Sequence, residues 1–405
     1  MRTGCISLIA SSVFATLLAT TARGEEEANT FVGAFDQSFV HASTPLVSWV
    51  DHGPGKLRFD ESSDGALVPR AFVDYRGRIT PTLLAHATVN ANSDGDAEIG
   101  VTEAYLEYRP VPSSPWARRW RFGAFYPHVS LENAAAGWRS PYMSSSSAIN
   151  TWLGEEFRTI GAELSFTRAL PTAVPQRFGA QLAVYGANDV AGGLLAERGW
   201  AVHDRQTALF ENVAGIEPFH ELDNRLGYYL GVDWRYVDRA RLQAFHYDNL
   251  ADPEAVAGGQ YGWRTFFDAL GGQVELPLGV GLIAQWMSGT TIVGPWIGGA
   301  RAATDDFDAA FLMATRAFGP HRASLRYDDF SLTQVDPTPD DNDLERGHAW
   351  TASYAYAFTP RLGLTAEWMT IETRHDGWMG MYLFTDARES LSRVALSWRF
   401  GAPPH

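Results

Sequence analysis

Residues Glu389 to Phe400 read "ESLSRVALSWRF", with five residues after them. In steps of two, Val394, Leu396, Trp398 and Phe400 fall on one side of an extended segment, and Arg393, Ala395, Ser397 and Arg399 on the other. One strand of this kind fits a soluble sandwich as well as a membrane barrel. Its meaning depends on whether the pattern recurs along the chain.

It does recur. The segments at 71–91, 271–288, 309–329 and 352–370 share one layout: an alternating strand, a tight turn often holding Pro or Gly, and a second alternating strand. Long polar connections separate the hairpins, roughly at 128–156, 187–225, 289–306, 331–347 and 373–388. Short turns alternating with long loops are the pattern of outer-membrane barrels, which keep turns in the periplasm and loops outside. Counting back from Phe400 places strands near 389–400, 361–372, 348–358, 320–330, 307–317, 279–288, 262–276, 240–248, 226–235, 177–186, 157–167, 119–127, 98–109, 80–90, 66–76 and 54–60. That predicts an all-β, transmembrane, antiparallel up-and-down barrel of about 16 strands. Trp120, Phe122, Ala124 and Tyr126 are expected to face outward. So are Tyr228, Leu230, Val232 and Trp234, and Trp350, Ala352, Tyr354 and Tyr356. The opposite faces are polar or small, as a water-filled lumen requires.

The other end of the chain fits the same compartment. Arg2, the apolar run Cys5–Ala19 and the small residues Ala22 and Gly24 make residues 1–24 a secretory signal peptide, with cleavage after Gly24. The run is too short for a spanning helix. Cys5 is the sole cysteine, so the mature chain has neither disulfides nor thiol chemistry. Loss of Arg2 and Arg23 leaves 30 of the 32 basic residues against 47 acidic ones, a net charge of −17. Such a surface excludes nucleic acid as a partner. No linker or composition shift divides the rest. The expected organisation is a periplasmic N-terminal segment at 25–53, a barrel at 54–400 and a tail at 401–405.

At "TEAYLEYRP" (102–110) and "WRFGAFYPHVSLEN" (120–133) the chain resembles the phosphate-selective porin family, in which such a strand leads through Pro and Ser-Leu-Glu into a long loop. The "DYRGRITPTL" hairpin (74–83) is similar in style. The resemblance implies a trimeric 16-stranded barrel that draws anions past basic side chains. Its lysines are not matched, because Lys56 is the only lysine, so the passive channel carries over and phosphate selectivity does not. The terminal strand ending in Phe400 resembles the signal read by the barrel-assembly machinery, which joins outer-membrane lipid, lipopolysaccharide and small hydrophilic solutes as expected partners.

Two groups of residues are candidates for the site. Strand directions place Arg76, Arg119, Arg121, Arg235, Arg241, Arg316, Arg322 and Arg399 facing inward near the periplasmic end. Arg70, Arg326 and Arg393 lie higher, with Asp74, Glu103, Glu107, Glu163, Asp233, Glu275, Asp308, Asp328 and Glu367 interspersed. A ring of fixed charge in a narrow pore selects ions by sign; alternatively the arginines pair with those carboxylates. The second group lies in the 128–156 loop, which either lines the surface or folds inward to constrict the pore with Arg139, Tyr142, Ser144 to Ser147, Trp152 and Glu155. "VDPTPDDNDLE" (335–345) lacks the glycine of a calcium loop, since Arg346 follows Asp341, Asp343 and Glu345. No cofactor or metal motif is present. A barrel enzyme of phospholipase or protease type would have to draw on His203, Asp204, His375 and Asp376, and an adhesive barrel is a third reading.

Overall fold

The computed structural model describes residues 29–94, 99–237, 239–297, 300–335, 344–377 and 384–401. The signal peptide expected at 1–24 lies outside them. Sixteen antiparallel strands form one closed barrel: β1 (Asn29–Ser43), β2 (Leu67–Thr80), β3 (Leu83–Asn92), β4 (Ile99–Tyr108), β5 (Trp116–Phe125), β6 (Thr159–Leu170), β7 (Gln176–Gly186), β8 (Gly227–Tyr236), β9 (Ala240–Asp248), β10 (Trp263–Leu276), β11 (Val280–Ile297), β12 (Ala300–Phe318), β13 (His321–Gln334), β14 (Glu345–Ala357), β15 (Leu362–His375) and β16 (Asp386–Phe400). Each strand pairs with its sequence neighbours, and β1 pairs with β16 to close the ring. A two-stranded ribbon at Val256–Ala257 and Gln260–Tyr261 stands apart. Two helices interrupt the long connections: α1 (Ala148–Glu156) and α2 (Gly193–Arg198).

The opening strand differs from expectation. Asn29–Ser43 is β1, so the barrel starts within the segment assigned to the periplasm. The stretch read as the first strand, 54–60, instead lies inside the barrel, with Lys56 and Leu57 wholly buried. Both of its faces find partners there, apolar on one side and charged on the other, so a period of two does not separate it from a wall strand. A second difference is the 289–306 loop, most of which continues β11 and β12 as one long hairpin.

Closure is tight where the ends meet. Gly33 of β1 faces Phe400 of β16, and a Cβ on Gly33 would lie 2.3 Å from the Phe400 ring and 2.5 Å from the Phe72 carbonyl. Outside, Phe35, Leu182, Leu230, Val232, Leu270, Trp286, Leu312, Leu325, Trp350, Trp368 and Leu396 are all exposed and form an apolar belt. In an up-and-down barrel every backbone group of the wall is paired, which lets such a belt stand in lipid.

The inner face is not the polar lining that the sequence implies. Phe245, Phe267, Ile283, Met287, Phe307, Phe311, Met313, Phe330, Met369 and Ile371 point inward and are at most 4% exposed. They belong to one apolar cluster that also includes Leu131, Trp152, Leu153, Phe157 and Trp200 from the long connections. The lumen therefore holds protein.

Candidate functional site

Three connections, 44–66, 126–158 and 187–226, contribute the buried material, and every barrel strand has at least one inward residue less than a tenth exposed. Helix α1 is central. Ser147 caps it by accepting the Asn150 N–H at 3.3 Å, and all nine of its residues are buried. Trp152 packs edge-on against Phe157 (4.6 Å between centroids), Phe307 (4.8 Å) and Trp200 (5.5 Å). Tyr247 and Phe267 stack at 5.0 Å and continue this array into the wall.

Elsewhere the inserted segments are held by charge. Asp204 accepts from three guanidinium groups: Arg58 Nη1 at 2.9 Å, Arg70 Nη1 of β2 at 2.9 Å and Arg393 Nη1 of β16 at 2.7 Å. Arg326 of β13 donates to Glu132 at 2.5 Å, to Asp328 at 2.7 Å, and to the Ser145 and Ser146 carbonyls at 2.9 and 2.8 Å. Glu367 of β15 accepts the Ser144 N–H at 2.7 Å and the Ser145 hydroxyl at 2.6 Å. Lys56 Nζ pairs with Glu345 of β14 at 2.9 Å, and Arg139 pairs with Asp36 of β1. The Arg326–Glu132 and Lys56–Glu345 pairs are fully desolvated, so each partner depends on the other.

The proposed constriction residues thus lie within the barrel. Arg139 meets Asp36, Tyr142 lies under the Arg322 guanidinium at 5.4 Å, and Trp152 is in the aromatic array. Glu155 accepts from Arg198 at 2.7 Å and sits 2.9 Å from His203 Nε2. Tyr126, expected to face lipid, turns inward and stacks on Trp138 at 4.0 Å. Strand β5 has ended at Phe125, so alternation no longer sets its direction.

The inward arginines divide into three groups. Arg119, Arg235 and Arg241 line a cavity of about 560 Å³ at the short-turn end, together with His128, Gln181, Asp233 and Gln243. Arg121 is committed to Glu163 through a two-pronged contact at 3.0 and 2.7 Å. Arg76 lies 3.4 Å from Asp74, and Arg322 and Arg399 share the inward faces of β13 and β16 with Arg326 and Arg393. Arg316 is a correction. It shares the outer face of β12 with exposed Leu312 and Phe318, and Asp308 lies on that same face. Strand β12 is apolar on both sides, because Phe307, Phe311 and Met313 pack on the inserted protein, so the rule that the oilier face meets lipid misassigns it. Register places Arg177, Arg235 and Arg241 side by side on β7, β8 and β9, a row to which sequence reading contributed only two members.

The enzyme candidates do not converge. His203 stacks on Trp49 and meets Glu155, Asp204 is shared by three arginines, and Asp376 meets Arg374 at 2.9 Å. His375 is buried on the inner face of β15. Asp341 and Asp343 lie outside the described residues, and Glu345 is the partner of Lys56.

Electrostatics of the inserted segments follow from burial and partners. Burial alone would raise the Asp204 carboxyl, but Arg393, Arg58 and Arg70 outweigh it and hold the group well below the usual range. Burial likewise opposes Glu155, yet Arg198 and His203 bring it down to about 2. Glu156 is the opposite case. Burial pushes it up to about 7, against hydrogen bonds from Leu194 N–H and the Trp152 indole. Its native form holds a proton that the unfolded form has lost above 4.5. The stability of the inserted segments therefore falls as pH rises from about 4.5 through 7, by roughly 3 kcal/mol at the upper end. Glu156→Gln should reduce this slope to the part contributed by Asp189, which burial pushes up to about 6, read as hydrogen-exchange protection of the α1 and α2 amides between pH 5 and pH 8. Equal slopes in the two proteins would contradict it.

No family model matches the sequence, and no curated protein matches it. Solved structures do. The outer membrane channel DcaP of Acinetobacter baumannii superposes with a TM-score of 0.54 at 9% identity, covering 94% of this chain and all of the other. OmpT, an outer membrane protein of Vibrio cholerae in a trimer form, gives 0.52 at 10% identity over 92% of this chain and all of its own. An anion-selective porin from Comamonas acidovorans gives 0.51 at 11% identity, over 92% of this chain and 99% of the other. The fold is that of the bacterial outer-membrane porins. A closed barrel of this size and belt belongs in the bacterial outer membrane. At these identities the likeness is one of fold.

Proposed function

We propose that the chain is an outer-membrane channel for passive diffusion of small hydrophilic solutes, with a preference for anions. The observation that carries this reading is the cavity at the short-turn end, where Arg119, Arg235 and Arg241 face a space of about 560 Å³. Among the described residues, Asp233, 2.9 Å from Arg235, is the one close carboxylate partner of the Arg235–Arg241 pair. Like charges directly opposite on neighbouring strands repel, and an anion relieves them. The anion-selective porin and the DcaP channel support the same reading by fold, and the OmpT trimer form supports assembly as a homotrimer. The resemblance to the phosphate-selective porins rests on the segments quoted above.

The purified protein in a planar bilayer is expected to carry ionic current, with a reversal potential displaced toward anions in a salt gradient. Replacing Arg235, Arg241 and Arg322 together by Glu should displace it toward cations. Arg121 is left intact because its loss would strand buried Glu163. Current with an unchanged reversal potential would remove the anion preference. Absence of current would remove the channel.

A further inference from the structure

The inserted segments meet the wall in two chemically different ways. Against β7–β11 the contacts are rings and neutral hydrogen bonds: Gln181 donates to the His128 carbonyl at 3.2 Å, Gln285 to Val129 at 3.3 Å and Thr265 to Ala191 at 2.5 Å. Among the described residues, no recorded ion pair joins β7–β11 to the inserted segments. Against β13–β16 and β1–β2 the contact is charged: Arg326, Glu345, Arg393, Asp36 and Arg70 pair with the inserted segments, and Glu367 accepts from Ser144 and Ser145.

Water acts differently on the two sides. Opening the aromatic side exposes apolar surface with nothing gained in return. Opening the charged side rehydrates both members of each pair, and the hydration recovered offsets most of the attraction lost. The charged side also continues toward the short-turn end: Arg76, Arg322 and Arg399 follow Arg70, Arg326 and Arg393 along the inner faces of β2, β13 and β16.

We infer that the inserted segments stay seated on the β7–β11 wall and part from the barrel along the charged seam, with Asp204 as the latch, so that solutes pass between these segments and β13–β2. This rests on the channel reading above. Asp204 holds its position because one carboxylate joins two wall strands and the 44–66 segment. Neutralising it takes from Arg70 its ion-pair partner and from Arg58 and Arg393 one partner each, leaving those two with Asp94 and Glu367.

The test uses the full chain with Cys5 replaced by Ser, in planar bilayers, with a charged methanethiosulfonate reagent. Ser145→Cys marks the seam and Ala269→Cys marks the aromatic side, both buried in the closed form. During current flow the reagent should modify Ser145→Cys at least about tenfold faster than Ala269→Cys, and Asp204→Asn should raise the open fraction by about tenfold, as expected for losing a charged hydrogen-bonded contact. Current together with faster modification of Ala269→Cys, or a protected Ser145→Cys, would overturn the seam and leave the channel standing. An unchanged open fraction in folded Asp204→Asn would also overturn the latch. Ser145→Cys in the Asp204 background keeps the test decisive if Asp204→Asn does not fold. Absence of current in every protein would remove the channel reading itself.

Discussion

Arg326→Met is expected to release the 126–158 segment from the wall while leaving the barrel closed. The side chain is wholly buried, and its guanidinium holds two carboxylates and two carbonyls at once. Methionine fills much of the volume but strands Glu132 and Asp328 as unpaired buried charges, which costs about 3–5 kcal/mol. Arg326→Lys keeps the charge without the planar fork and should fall between the two. The backbone pairing of β13 with β12 and β14 is untouched, so heat-modifiable migration should persist. Limited proteolysis reads the difference. Cleavage should appear within 126–158 in Arg326→Met and be slow in the parent. An identical cleavage pattern would mean that Arg326 does not anchor the segment.

Trp152→Ala is expected to loosen the opposite side by a comparable amount. The indole fills the space between α1 and the wall rings Phe267 and Phe307, and its removal leaves a cavity that the rigid sheet cannot collapse to fill. Loss of so large a buried ring costs about 3–5 kcal/mol. Amide protection in α1 should drop accordingly, and Trp152→Phe should restore most of it. If the alanine variant keeps parental protection, the aromatic array is not what seats the helix.

The wall was legible in the sequence because its rule is local. A strand that faces two environments alternates, and Val394, Leu396 and Trp398 show it within five residues. Fifteen of the sixteen strands coincide in place with the segments read from that rule. The first strand was missed because Phe31, Phe35 and Phe39 are interrupted by Gly33 and Gln37, whereas "GKLRFDE" alternates more regularly while belonging to the lumen. The interior was harder to read. Alternation states that two faces differ and leaves open which one meets lipid, so β12, apolar on both sides, was turned over. Asp204 and Arg393 were each visible as charged residues, but their contact joins positions 189 apart in sequence, and no spacing rule encodes it. Arg326 was expected to line a pore; the carboxylate that claims it, Glu132, lies 194 residues earlier.

Those long separations impose an order on assembly. Glu132 and Asp204 lie well before Arg326 and Arg393 in the chain, and the Lys56 amide donates to Glu389, which is 333 residues later, so these contacts exist only once both ends of the barrel are in place. Without β13–β16 the aromatic wall and the helix that packs on it would be complete, but Glu132 would lack Arg326 and Asp204 would keep only Arg58 and Arg70. Until then those carboxylates must stay hydrated, so the interior of the growing barrel remains wet. Pairings this distant in sequence are slow to form, since the loop must close before the contact rewards it. The last quarter of the chain therefore does two jobs at once: it shuts the wall, and by supplying Arg326 and Arg393 it completes the pairing that dries the lumen.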